Sequence, residues 1–126
     1  MRSAISTTEG ARAVGPYSQA IKTADTIFVS GQIALDPATG VIVAGGVEAH
    51  TDRAIRNIEA ILKAAGADLG HVVRCVVYLT EMGHFAAMNN VYERFFGPVK
   101  PARTTVVVAA LPLRSLVEIE ATAVCV

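Results

Sequence analysis

The alternation of apolar and polar positions divides the chain into six extended segments and two helices. A short edge strand is expected around Ala4–Ser6. "YSQAIK" (Tyr17–Lys22) and "TIFVSGQI" (Thr26–Ile33) read as strands, with Thr23-Ala24-Asp25 as the hairpin loop between them. "LDPATGVIV" then reads as a turn punctuated by Pro37 and Gly40. From Val47, Thr51, Ala54, Ile55, Ile58, Ile61, Leu62 and Ala65 recur at helical spacing. Glu48, Asp52, Arg56, Glu59 and Lys63 fill the other side, and Gly66 suits the residue after the helix end. "VVRCVVYLT" (Val72–Thr80) is a strand rich in β-branched residues. A second helix is expected over Phe85–Phe96, with Phe85, Met88, Val91, Tyr92 and Phe95 on one side and Gly97-Pro98 as its stop. Two strands follow, Arg103–Ala110 and Leu116–Val126. The order ββ–α–β–α–ββ, after the short edge strand, implies an α+β fold with one mixed sheet.

The faces of the last strands carry more information. Val117, Ile119, Ala121, Ala123 and Cys125 share one side of the final strand, as expected of a core lying under helices. The other side carries Leu116, Glu118, Glu120, Thr122, Val124 and Val126. In the preceding strand, Thr104, Val106 and Val108 alternate with Arg103, Thr105, Val107 and Ala109, so both sides are substantially apolar. A sheet covered on both faces usually has helices on both. Two helices of this length cover only one, so the second face is expected to meet another copy of the chain.

Composition strengthens that expectation. The 126 residues form one domain by length, spanning 1–126, and bury about two-thirds of the unfolded surface. The chain is 52% hydrophobic and 17% charged, with a mean hydropathy of +0.46. Yet no apolar run approaches the roughly 18 to 20 residues that span a bilayer, and the N-terminus has no signal-peptide pattern. Eleven basic residues balance eleven acidic ones, and no Lys/Arg cluster appears, which argues against nucleic acid as a partner. Cys75 and Cys125 sit in apolar strand runs and read as small buried hydrophobes of a reduced compartment, the cytoplasm.

Candidate chemistry is sparse. His50, His71 and His84 have no metal-ligand spacing and read as solvated or helix-edge residues, so no metal is expected. Gly45-Gly46 reads as a turn rather than a phosphate loop, and no Ser/His/Asp arrangement involves Ser6, Ser18 or Ser30. What remains is Arg103 at the mouth of one strand, with Glu118 and Glu120 inside the next. Charge within a strand is costly unless solvated, paired or used. An ordinary ion pair, across a hairpin or between subunits, is one reading. The other is chemical: an arginine at a partly desolvated strand end grips a substrate carboxylate bidentately, and a nearby carboxylate holds and deprotonates water.

Five short motifs stand in a telling order: "GPYSQA" (Gly15–Ala20), "SGQI" (Ser30–Ile33), "PAR" (Pro101–Arg103), "ALP" (Ala110–Pro112) and "VEIEA" (Val117–Ala121). With them the chain, from about Ile5 to Val126, resembles the RidA (YjgF/YER057c/UK114) family of imine deaminases. The resemblance implies a chorismate-mutase-like fold of about six strands with two helices on one face. It implies a homotrimer with a barrel-like core and clefts at the subunit boundaries. The implied reaction is hydrolysis of 2-iminobutanoate, 2-iminopropanoate and related tautomers of enamines such as 2-aminoacrylate, to 2-keto acids and ammonia, without cofactor or metal. By the same resemblance, Arg103 binds the substrate carboxylate and Glu118 orients the attacking water. Gly31 offers its carbonyl to the imine nitrogen. Tyr17 and Ser30 line the cleft, Phe85 and Asn89 form walls supplied across an interface, and Glu120 keeps a supporting or ion-pair role. Thr105 stands where many members carry cysteine, and "FFGPVKPAR" is shorter than in some relatives; both bear on substrate range. Subfamilies lacking the arginine are not expected to deaminate, and this chain keeps it. The alternatives are a trimeric 2-keto-acid-binding or chaperone-like protein without turnover, and a ribonuclease, which the balanced charge disfavours.

Overall fold

The computed structural model describes residues 1–125; Val126, assigned above to the last strand, lies outside them. Six strands are present: β1 (Arg2–Ile5), β2 (Ala20–Thr23), β3 (Thr26–Gln32), β4 (Val72–Leu79), β5 (Ala102–Val107) and β6 (Val117–Val124). Two helices join them, α1 (Val47–Ala64) and α2 (Phe85–Phe96). The strands form one sheet in the order β1-β2-β3-β6-β4-β5. All neighbours are antiparallel except β4 and β5, which run parallel across the connection that contains α2. The fold is the α+β class with the mixed sheet that the pattern predicts.

Both helices lie on one face of the sheet. In β6, Val117, Ile119, Ala121 and Ala123 are buried and alternate with half-buried Glu118, Glu120, Thr122 and Val124. Ile27, Val29, Cys75, Val77 and Leu79 extend that buried layer along β3 and β4, and Ile55, Ile58, Ile61 and Leu62 of α1 close over it. Each such aliphatic side chain contributes about 1.5 to 3 kcal/mol relative to exposure. The opposite face has no helix and leaves Phe28 and Val106 open.

The differences from the sequence reading lie at element ends and on α2. Residues 17–19 are loop rather than strand, because backbone and side-chain hydrogen bonds, not a ladder, hold them. The Ser30 N–H donates to Gln19 O at 3.0 Å, and the Ser30 hydroxyl to Ser18 O at 2.7 Å. Thr23 pairs with Thr26, so the hairpin turns through Ala24 and Asp25 alone, Ala24 being left-handed at φ 50°. On α2 the buried stripe is Met88, Val91, Tyr92 and Phe96. Phe85 is 37% exposed at the helix start and Phe95 is half-buried under Arg56, because the stripe that meets α1 and the sheet runs to Phe96 instead. His50 is not solvated: it is 4% exposed, its Nε2–H donating to Val43 O at 3.0 Å and its Nδ1 accepting from the Leu116 N–H at 3.1 Å. Cys75 is fully buried and Cys125 half-buried, both as free thiols. Among the described residues, no helix is long and apolar enough to cross a membrane.

Candidate active site

The strand register separates the expected site residues into two groups. Arg103 stands opposite Cys75, which stands opposite Ala121, and both neighbours belong to the buried layer under the helices. Arg103 therefore leaves the sheet on the helix side, at the open edge that β5 forms. Glu118 stands opposite Tyr78 on the helix-free face. Within one chain the two residues point away from each other, and they form no ion pair.

The Arg103 group is built by α2. Phe85, Asn89 and Tyr92 lie at i, i+4 and i+7, so they form one stripe facing the strand edge. Arg103 Nη1–H donates to Asn89 Oδ1 at 2.8 Å, and the guanidinium lies 4.7 Å from the Tyr92 ring centroid and 5.6 Å from that of Phe85. Aromatic faces stabilise a cation, and one amide oxygen occupies only part of the fork. The remaining N–H groups stay available to an anion. Asn89, Tyr92, Lys100, Pro101 and Arg103 line an open pocket of about 330 Å³. The chain enters it from α2 through Lys100, left-handed at φ 49°, whose N–H donates back to Phe96 O at 2.7 Å. Behind the arginine, burial pushes the Cys75 thiol and the Tyr92 hydroxyl to higher proton affinity. The Tyr92 hydroxyl lies beside the Cys75 thiol, and the buried Thr105 hydroxyl has no hydrogen-bond partner. Thr105 is two residues beyond Arg103, on the same face of β5.

The Glu118 group is built where β3 loses register with β6, between Val29 and Gln32. Gly31 lies in this irregularity, and a Cβ there would overlap Glu118 Oε2. The bare backbone is what admits the carboxylate. Burial first, and the charge of Glu120 second, raise the Glu118 carboxyl above the usual carboxylate range. Tyr17 and Gly31 line one small recess of about 20 Å³; the Tyr17 hydroxyl accepts from the Val14 N–H at 3.2 Å, and its ring is 46% exposed. The Ser30 hydroxyl is taken by Ser18 O, so it secures the Tyr17 loop to β3. Glu120 pairs not with an arginine but with Tyr78, whose hydroxyl donates to Oε1 at 2.5 Å.

Three residues have roles that the pattern did not mark. Gln19 is 5% exposed, donates to Thr7 O and Ala11 O, and accepts from the Thr7 N–H, so it ties residues 7–11 to the Tyr17 loop. Asn57 of α1, fully buried, donates to Ile33 O and Leu35 O just beyond β3. Tyr92 looked like an ordinary core residue of α2, yet its ring forms the nearer face of the Arg103 cradle.

The chain is similar to known proteins along nearly its whole length. A family model described as endoribonuclease L-PSP matches residues 7–125. The 2-iminobutanoate/2-iminopropanoate deaminase of Mus musculus is 48% identical over 124 residues, covering 98% of this chain and 92% of that protein. Among solved structures, RidA from an Antarctic Psychrobacter superposes with a TM-score of 0.94 at 40% identity, covering 98% of this chain and 99% of the other. Escherichia coli TdcF, solved with bound serine, gives 0.93 at 37% identity, covering 98% of each chain.

Proposed function

The chain belongs to the RidA/YjgF family, and from that premise we propose that it is a cofactor-independent deaminase hydrolysing 2-imino acids to 2-keto acids and ammonia. The observation that carries the reading is the Arg103 fork, cradled by Asn89, Tyr92 and Phe85 and left with free donors at the mouth of a pocket. A bidentate grip on a small carboxylate is what such a fork does best. The names of the mammalian relatives and the serine bound to TdcF support a small amino-acid-derived substrate.

The two half-sites give the assembly its reason. Arg103 and Glu118 face away from each other in one chain, so a single substrate meets both only between two chains. The helix-free face, with Phe28 and Val106 exposed, is the surface we assign to self-association as a homotrimer. At the resulting boundary Arg103, Asn89, Phe85 and Thr105 come from one subunit. Glu118, Gly31, Tyr17 and Ser30 come from the next.

Chemistry then proceeds in three proton transfers, two of them through Glu118. Arg103 fixes the carboxylate, and the Gly31 carbonyl accepts from the imine N–H, which favours the electrophilic iminium form. Glu118 takes a proton from water as the oxygen bonds to C2 and the C=N π pair moves onto nitrogen. The same carboxyl returns that proton to the nitrogen. The C–N bond breaks, the C2 hydroxyl gives its proton to solvent water, which balances the proton of the iminium, and 2-keto acid and ammonia leave. Glu118 suits both tasks because burial makes it a stronger base than an ordinary carboxylate.

The test is a coupled assay in which a threonine or serine dehydratase generates the imine, with its decay followed with and without this protein. Faster decay is expected. Arg103→Ala should cost about 2 to 4 kcal/mol of transition-state binding; a variant as active as its parent rules the mechanism out. The endoribonuclease description of the family model is not favoured, because eleven basic residues are balanced by eleven acidic ones and form no sequence cluster.

A further inference from the structure

One polar contact on the helix-free face takes no part in the steps above. Tyr78 of β4 is the register partner of Glu118, while Val76 is the register partner of Glu120. Tyr78 nonetheless reaches diagonally, and its hydroxyl donates to Glu120 Oε1 at 2.5 Å in a half-buried setting. A glutamate on a sheet face is free to turn its carboxylate toward water. This one is held down by a phenol, on the face and strand that carry Glu118.

We propose that Tyr78 and Glu120 are positioning residues of the hydrolytic site, holding a fixed negative charge beside Glu118 so that Glu118 can carry a proton between water and the departing nitrogen. The proposal rests on Glu118 being the group that works on water. Residues two apart on a strand project to one face at about 7 Å spacing, close enough for two half-buried carboxylates to influence each other strongly. Glu118's raised proton affinity has the charge of Glu120 as its second cause after burial. The hydrogen bond to Glu120 is in turn the main reason that Tyr78 holds its own proton more tightly. The phenol therefore remains a donor across the working pH range and keeps the carboxylate in place.

The other groups around Glu118 do not substitute for this pair. From β4 the titratable and charged groups on this face are Tyr78 and Arg74, and Arg74 stands opposite Thr122, beyond Glu120. Beside β4, β5 brings Thr104 and Val106 to the same face; β3 brings Phe28 and the backbone of Gly31. Among the described residues, Glu120 is thus the anion placed to act on Glu118.

The deciding measurement is the titration of Glu118 by carbon-13 NMR in protein labelled at the glutamate carboxyl carbon, its resonance assigned by its loss in Glu118→Gln. In Glu120→Gln the Glu118 midpoint should fall, as the second cause of its raised proton affinity is removed. In Tyr78→Phe it should fall less, as the released Glu120 carboxylate turns toward solvent. In the double variant it should fall no further than in Glu120→Gln alone, because Tyr78 acts through Glu120. The acid limb of kcat/KM for imine hydrolysis should move by the same amounts. A Glu118 midpoint unmoved in Glu120→Gln overturns the proposal, as does a Tyr78→Phe that lowers the unfolding temperature yet leaves the midpoint in place. A midpoint that moves, in a protein that hydrolyses no imine, overturns the hydrolytic reading and leaves the Tyr78–Glu120–Glu118 coupling standing.

Discussion

The backbone of Gly31 lies so close to the carboxyl end of Glu118 that no side chain fits between them. A Cβ at Gly31 would overlap Oε2 and lie 2.9 Å from Cδ and 3.1 Å from Cγ. The glycine is required here for room, at the register break between β3 and β6, and not for a left-handed backbone.

Gly31→Ala should therefore displace the carboxylate rather than the strand, because the end of a glutamate side chain moves more easily than a ladder. A shift of about 1 Å in a group that orients water costs on the order of 100-fold in rate. The accompanying loss of stability should stay near 1 kcal/mol. Kinetics and thermal unfolding on one preparation separate the two effects. A variant as fast as its parent would remove Glu118 from the chemistry.

Because Arg103 and Glu118 leave the sheet on opposite faces, two defective chains should repair each other. Arg103→Ala and Glu118→Gln are each expected to be inactive alone. Co-expressed in equal amounts and mixed at random in the proposed trimer, they should recover about one quarter of parental activity, since one boundary in four then has both groups intact. A site contained within one chain would give no recovery at all.

Tyr92 should matter through its ring and not its hydroxyl, which lies beside the Cys75 thiol. Tyr92→Phe keeps the face 4.7 Å from the guanidinium and should leave 2-ketobutyrate binding nearly unchanged. Tyr92→Leu removes it and should weaken binding by roughly 1 to 2 kcal/mol, with Asn89→Ala similar through the lost hydrogen bond. Calorimetric titration measures both. Equal affinity in Tyr92→Leu and the parent would remove the ring from the cradle.

How much of this could be read from the residues depended on whether the signal was local. The period of two in β6 identified its buried face because Val117, Ile119, Ala121 and Ala123 all meet the helices. The helical period of α1 did the same for Ile55, Ile58, Ile61 and Leu62. β5 gave no such answer. It is an edge strand, apolar on both sides, and only its parallel register with β4 decides that Arg103 faces the helices. The Glu120–Tyr78 pair likewise depends on the β4–β6 register, 42 residues apart in sequence. Gln19, His50 and Asn57 are buried polar residues whose partners are loop backbone groups elsewhere in the chain, and a hydropathy pattern does not mark them.

His50 yields a pH dependence of stability with a definite sign. Its ring joins two loops, donating from Nε2 to Val43 O and accepting at Nδ1 from the Leu116 N–H. Only the neutral ring does both. Burial above all, opposed by the Val43 hydrogen bond and reinforced by nearby His84, lowers its proton affinity from the ordinary 6.5. The unfolded chain thus takes up a proton at a higher pH than the folded one, and stability rises with pH between the two values. The contribution of His50 is complete above about 6.5, declines as the pH falls below it, and is gone once the pH has passed the lowered folded value. Glu118 runs the other way, its raised proton affinity favouring the folded state as the pH falls. Glu118 is present in parent and His50→Ala alike, so it cancels in their difference. The excess unfolding temperature of the parent over His50→Ala should therefore shrink steadily as the pH is lowered from 7.5 to about 5. A constant difference would mean that the ring is held by packing alone and that its hydrogen bonds to the two loops contribute nothing.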